Sequence, residues 1–152
     1  MSLFKNYFEL TKPKVVSMML ITAIVGMLLA TPNIPSFQIM IIALLGIGLC
    51  AASAATINQI IDRNIDAGMQ RTSGRPLPQG EVSLVNASLF ALFLMIMGTI
   101  ILIYFVNTLT ALLTICSLIG YAFIYTVFLK RATPQNIVIG GAAGAFPHVI
   151  GW

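Results

Sequence analysis

Two long stretches of this chain contain no charged residue, Val15 to Ile61 and Val82 to Leu129. A single membrane-spanning helix takes about 20 apolar residues. Each stretch is more than twice that length, so each is predicted to fold as a helical hairpin. The turns fall where backbone-breaking residues gather, at residues 31–36 (Thr-Pro-Asn-Ile-Pro-Ser) and at Asn107-Thr108. With 59% hydrophobic residues and a mean hydropathy of +0.98, the chain is of the membrane class, since a soluble core of this size has no use for so much apolar surface. The expected fold is an all-α transmembrane helix bundle in one integral-membrane domain. Complete spans are expected at about 15–30, 37–57, 84–106 and 109–129, with a partial fifth at 137–152.

The net charge of +4 does not call for a nucleic-acid partner, because its distribution has a simpler cause. All eight Lys and Arg lie at the N terminus (Lys5, Lys12, Lys14), between Arg63 and Arg75, or at Lys130-Arg131. The two hairpin turns carry none. Alternating spans then place every cation on one side of the bilayer, which the positive-inside rule makes cytoplasmic, together with the N terminus. A cleaved signal peptide is the competing reading of the first apolar run, but Ala30-Thr31 is a poor cleavage site and the turn after it is too short to begin a secreted domain. Residues 1–14 read as an interfacial lead-in, with Pro13 suited to the first turn of the following helix.

The second span ends in a run of small residues, Gly46, Gly48 and Ala51 to Thr56. Small side chains let helices approach closely where lipid offers no hydrophobic drive, so this helix is expected at the centre of the bundle. The third, rich in Phe and Met, reads as lipid-facing. Cys50 and Cys116 both fall inside spans and read as packing residues, not as a disulfide. The fifth stops at Trp152 before a full crossing, from which an incomplete chain is expected.

Against this background the segment Asn58 to Gly80, NQIIDRNIDAGMQRTSGRPLPQG, stands apart. Five of the twelve charged residues lie between Asp62 and Arg75, two of them among the four acidic ones. Asn58, Asp62 and Asp66 recur at intervals of four, which places them on one helix face, about 6 Å apart along the axis. Carboxylate and amide oxygens so spaced suit a hard divalent cation such as Mg²⁺, which keeps some water and is bridged to substrate phosphates. The plain alternative is a helix end emerging into water. Arg63, Arg71 and Arg75 read either as phosphate clamps or as topology-setting loop charges. Lys130 reads as a further clamp or as an anchor on the inside face. Tyr121 and Tyr125 fit an aromatic belt, and His148, the lone histidine, fits packing better than haem-iron ligation.

Three segments, LTKPKVV at the N terminus, NQIIDRNIDAGMQRTSGRPLPQG, and YTVFLKRATPQNIVIGGAAGAFPHVIGW at the C terminus, resemble the UbiA superfamily of intramembrane prenyltransferases, and within it the haem-farnesylating branch. The resemblance implies a nine-helix fold with two facing aspartate motifs, of which Asn58, Asp62 and Asp66 would be the first. The second would lie in later helices that this chain lacks, so the 152 residues alone are expected to be inactive. It implies farnesyl diphosphate and protohaem IX as substrates and Mg²⁺ as cofactor, held by Asn58, Asp62 and Asp66. Arg71, Arg75, Tyr125 and Lys130 are implied to bind the diphosphate, and Asp62, Asp66 and Lys130 to act in catalysis. It further implies the bacterial inner membrane and partners in haem A synthesis or oxidase assembly. His148 stands where the family more often has proline. Three rival expectations stay open: a prenyltransferase for an aromatic quinone precursor, a non-catalytic ion-binding membrane protein, and a truncated product.

Overall fold

A computed structural model describes residues 2–30 and 32–129, with side chains through Ile124. Every regular element among them is helical. The Ser2 hydroxyl caps α1 (Leu3–Leu10) by accepting from the Lys5 amide, satisfying one of the donors a helix start leaves unpaired. Pro13 opens α2 (Pro13–Ala30), a position where its missing N–H costs nothing. After the predicted break, α3 runs unbroken from Phe37 to Ala67. Ser83 caps α4 (Leu84–Phe105). Asn107 caps α5 (Thr108–Ile119), its Oδ1 accepting from the Thr110 amide at 2.6 Å.

Length separates α3 from its neighbours. At about 1.5 Å per residue its apolar part, Phe37 to Ile57, covers about 31 Å, which matches a bilayer's hydrocarbon core. Asn58 to Ala67 therefore projects beyond that core as a rigid continuation of the same helix. Among the described residues three helices, α2, α3 and α4, are long and apolar enough to cross a membrane. The fourth apolar run, expected as a span over 109–129, changes its helical winding partway. Its α-helix ends at Ile119, and the chain continues as a π-helix over Gly120–Leu129. The expected fifth helix, with Lys130 and His148, lies outside the described residues.

The bundle is organised on α3, as its small residues predict, and α3 packs chiefly on α4. Contact is closest where glycines meet. A methyl group at Gly98 would stand 2.7 Å from Cys50 Sγ and 2.8 Å from the Gly46 carbonyl oxygen, and one at Gly46 would stand 2.7 Å from Leu102. Nearby, the Ser53 hydroxyl donates to the Ala91 carbonyl at 2.7 Å, a bond between helices that contributes about 0.6–2 kcal/mol in lipid. α4 is therefore not simply the lipid-facing helix its composition suggests. Ala87, Ala91, Leu94, Gly98 and Leu102 are buried along one face, while Leu89, Phe93, Ile96 and Ile100 are exposed on the other. α2 covers another side of α3 through Ala23, Gly26 and Met27.

Overpacking of a tight contact costs about 1–3 kcal/mol, and backbone lies on one side of this one. Gly98→Val is expected to lower the thermal midpoint in detergent clearly, whereas Gly74→Ala, where an added methyl meets nothing within 4 Å, leaves it unchanged. Equal midpoints for the two variants would show that the α3–α4 contact is not the close one described.

Candidate functional site

The polar end of α3 is buried, not solvated. Asn58, Asp62 and Asp66 are 5%, 3% and 5% exposed, so a helix end emerging into water is not what the chain builds. They stand on consecutive turns, and the groups that cover them come from both flanks of the helix.

At one end of the row lies the loop 68–82. Gly68 ends α3, its N–H bonding the carbonyls of Ile65 and Asp66. The chain then turns back, and the Thr72 hydroxyl donates to the Asp66 carbonyl at 3.1 Å. Arg75 Nη1 reaches the Asp66 carboxylate at 2.5 Å. Gly80, at φ +74°, makes the left-handed step that a residue with a Cβ adopts only with strain. Pro76, Leu77 and Val82 tuck under the loop. Leu77 and Val82 join Leu10 and Ala87 in a small apolar cluster, with Tyr7 and Ile60 packed against it.

At the other end lies the elbow between α1 and α2. Gln59 Nε2 donates to the carbonyls of Glu9 (3.2 Å) and Leu10 (3.3 Å), strapping the last turn of α1 onto α3. From the elbow itself Lys12 Nζ donates to Asn58 Oδ1. Asn58 Nδ2 in turn donates to Asp62 Oδ2 at 3.4 Å. A continuous polar line results, Lys12 to Asn58 to Asp62, with Asp66 and Arg75 completing it one turn on.

Among the residues singled out in the sequence, the structure brings together Asn58, Asp62, Asp66 and Arg75. Arg71 is exposed in the loop and, among the described residues, makes no hydrogen bond or ion pair with the row. Arg63 turns away, its Nε donating to Asn64. The Tyr125 side chain and Lys130 lie outside what the structure describes. Lys12 and Gln59 are additions. Lys12 did carry a signal, since a lysine directly before a proline must sit where a helix breaks. Gln59 carried none, because it differs from its neighbours only in what it meets in space.

No three His, Cys, Asp or Glu side chains gather into a metal-holding group among the described residues. A closed protein cage is therefore not what this wall offers. Two carboxylates and an amide in a buried row, flanked by an ammonium and a guanidinium, have the chemistry that suits a hydrated divalent cation shared with a polyphosphate.

The fold recurs in known proteins. The UbiA prenyltransferase family model matches residues 19–152, and the chain belongs to that family. It is 58% identical to protoheme IX farnesyltransferase 1 of Pseudomonas entomophila and to protoheme IX farnesyltransferase of Shewanella oneidensis, and 56% identical to protoheme IX farnesyltransferase 2 of Pseudoalteromonas atlantica. Each match takes in 98% of this chain and 49–50% of the relative, so the chain spans about half the length of these curated relatives. Among solved structures, a UbiA homologue from Archaeoglobus fulgidus bound to DMAPP and Mg²⁺ superposes with a TM-score of 0.81 at 25% identity, over 96% of this chain and 53% of the other.

A hydrogen bond to a charged group is worth about 1.5–3 kcal/mol, and the bond from Arg75 ties the loop to the helix end. Arg75→Gln is expected to raise the rate of tryptic cleavage after the exposed Arg71 at least about tenfold, through local opening of the loop. An unchanged cleavage rate would mean that the Arg75–Asp66 pair does not hold the loop.

Proposed function

We propose that this chain forms the first half of a farnesyltransferase site, in which farnesyl diphosphate is ionised and its farnesyl group joins a vinyl carbon of protohaem IX. The observation that carries the reading is the buried row of Asn58, Asp62 and Asp66 with a cation at each end. The relatives' names support the acceptor, and the DMAPP and Mg²⁺ bound to the Archaeoglobus homologue support the donor and the metal.

Asp62 and Asp66, with the Asn58 amide, would hold Mg²⁺. When bound, this ion draws electron density from the diphosphate oxygens. Arg75 stands beside Asp66 to take charge on the departing diphosphate. Arg71, Tyr125 and Lys130 are proposed as further diphosphate contacts and Lys130 as a catalytic group, on the strength of the family resemblance. The C1–O bond breaks with its electron pair leaving on diphosphate, the vinyl carbon attacks the allylic cation, and water completes a hydroxyethylfarnesyl group. The apolar helices above the row keep bulk water from the cation. The protein is proposed to sit in the bacterial inner membrane with its N terminus and the row on the cytoplasmic side, as the clustering of all eight cations favours.

The test uses a family-length chimera, residues 1–152 completed with the second half of the Shewanella oneidensis relative. Given labelled farnesyl diphosphate with haem or with 4-hydroxybenzoate, it is expected to label haem. Labelling of the acid alone would overturn the acceptor. In the same protein, Asp62→Ala and Asp66→Ala are each expected to lower Mg²⁺-dependent turnover by about 10²-fold or more. Turnover near the unsubstituted level in both would remove the metal assignment.

A further inference from the structure

A cleft of about 360 Å³ lies beside the polar end of α3, on a different face from the row. Arg63, Asn64 and Ala67 line it from α3, and Leu77, Val82 and Leu84 line it from the loop and the start of α4. Arg63 and Ala67 each follow a row residue by one position, so each stands about 100° round the helix from it. The volume falls within the range of ligand sites, about 300–1,000 Å³. Arg63 is half-buried there. A guanidinium has five N–H donors, of which Nε goes to Asn64 Oδ1 at 3.4 Å. Among the described residues Arg63 forms no ion pair. Glu81, between the lining residues Gly80 and Val82, is exposed and does not pair with it. A charge partly withdrawn from water without a counter-ion is unfavourable, so the cleft suits an anion.

The depth of the cleft narrows the choice of anion. Arg63 stands six residues beyond Ile57, about 9 Å along the axis from the end of the apolar part of α3. Helix side chains lean toward the helix N-terminus, so on α3 they lean back toward the bilayer. The guanidinium therefore falls in the headgroup layer, about 5–8 Å deep on each side of the hydrocarbon. On the opposite wall α4 enters the hydrocarbon from Leu84. From that rim the apolar surface continues along α4 through Val85 and Leu89, which are 66% and 60% exposed. A soluble anion would use the guanidinium alone, whereas an amphiphile uses the charge, the apolar wall and the strip beyond it. We infer that the cleft is a phospholipid site, in which Arg63 takes a phosphate oxygen of a glycerophospholipid and an acyl chain lies along Leu84, Val85 and Leu89. A planar guanidinium matches phosphate oxygens in pairs, and basic pockets between membrane helices commonly take lipid headgroups. The lipid would join α3 to α4 where the loop between them folds back.

The test uses the family-length chimera, purified in dodecyl maltoside, a detergent without phosphate. Native mass spectrometry measures binding of the first added lipid, either dioleoylphosphatidylglycerol or dioleoylglycerol, which has the same chains and no phosphate. The phospholipid is expected to bind at least about tenfold more tightly. Arg63→Gln removes the charge, and Ala67→Phe fills the cleft while leaving the guanidinium. Each is expected to bring the two lipids within about threefold of one another, with the lipid-free thermal midpoint unchanged. Equal binding of the two lipids to the unsubstituted protein, or an undiminished preference in either variant, would overturn the inference. A lowered lipid-free midpoint in both variants would make these residues structural and overturn it as well. Displacement of the phospholipid by glycerol phosphate would make the cleft a site for soluble phosphates. Its one-for-one displacement by farnesyl diphosphate with Mg²⁺ would join the cleft to the row, and either result would sink the phospholipid assignment while leaving the proposed reaction standing.

Discussion

Everything described here hangs on how closely α3 and α4 approach. Between two helices in lipid, burying apolar surface gains little, because the tails are as apolar as the side chains they replace. What remains is dispersion and the few hydrogen bonds that short distances permit. Gly98 against Gly46 and Cys50 supplies the first, and Ser53 to the Ala91 carbonyl supplies the second. This contact holds the apolar length of α3 upright in the bundle. A helix held in that way carries its polar C-terminal turns rigidly beyond the hydrocarbon, so Asn58, Asp62 and Asp66 keep their one-face alignment without a loop to blur it.

Two covers complete the wall, and they differ in kind. The loop 68–82 comes from the residues just after the row. It folds back through short-range turns and fastens itself by Thr72 and Arg75 to Asp66. The α1–α2 elbow comes from far away in the chain and reaches the row through Gln59, Thr56 and Lys12. Two carboxylates one turn apart repel each other unless cations or donors stand near them, and each cover brings a cation. The site's electrostatic balance is thus assembled from three segments of chain.

Much of this was legible beforehand. Asn107 and the residues around Pro32 and Pro35 mark the turns because proline and short polar side chains cannot continue an apolar helix. The small-residue run before Asn58 marks the central helix, since only small side chains permit such contact. The face of α4 that meets α3 was missed for a physical reason. In lipid the inner and outer faces are both apolar, so Ala87, Ala91 and Gly98 do not stand out by polarity, only by size, and size is diluted among Phe, Met and Ile. The change from α- to π-helix at Gly120 left no mark in the pattern of apolar residues.

The sequence by itself determined that this is a membrane protein with hairpins, a small-residue central helix, and an aligned row of one amide and two carboxylates. Those properties follow from composition and from a period of four residues, both of which are local. The tertiary structure decided that the row is buried, and that Arg75 and Lys12 reach it while Arg63 and Arg71 do not. Such facts depend on which distant segments meet. Spacing along the chain does not encode them, because the bond between Lys12 and Asn58 joins residues that only the packing of α1 and α2 on α3 brings together.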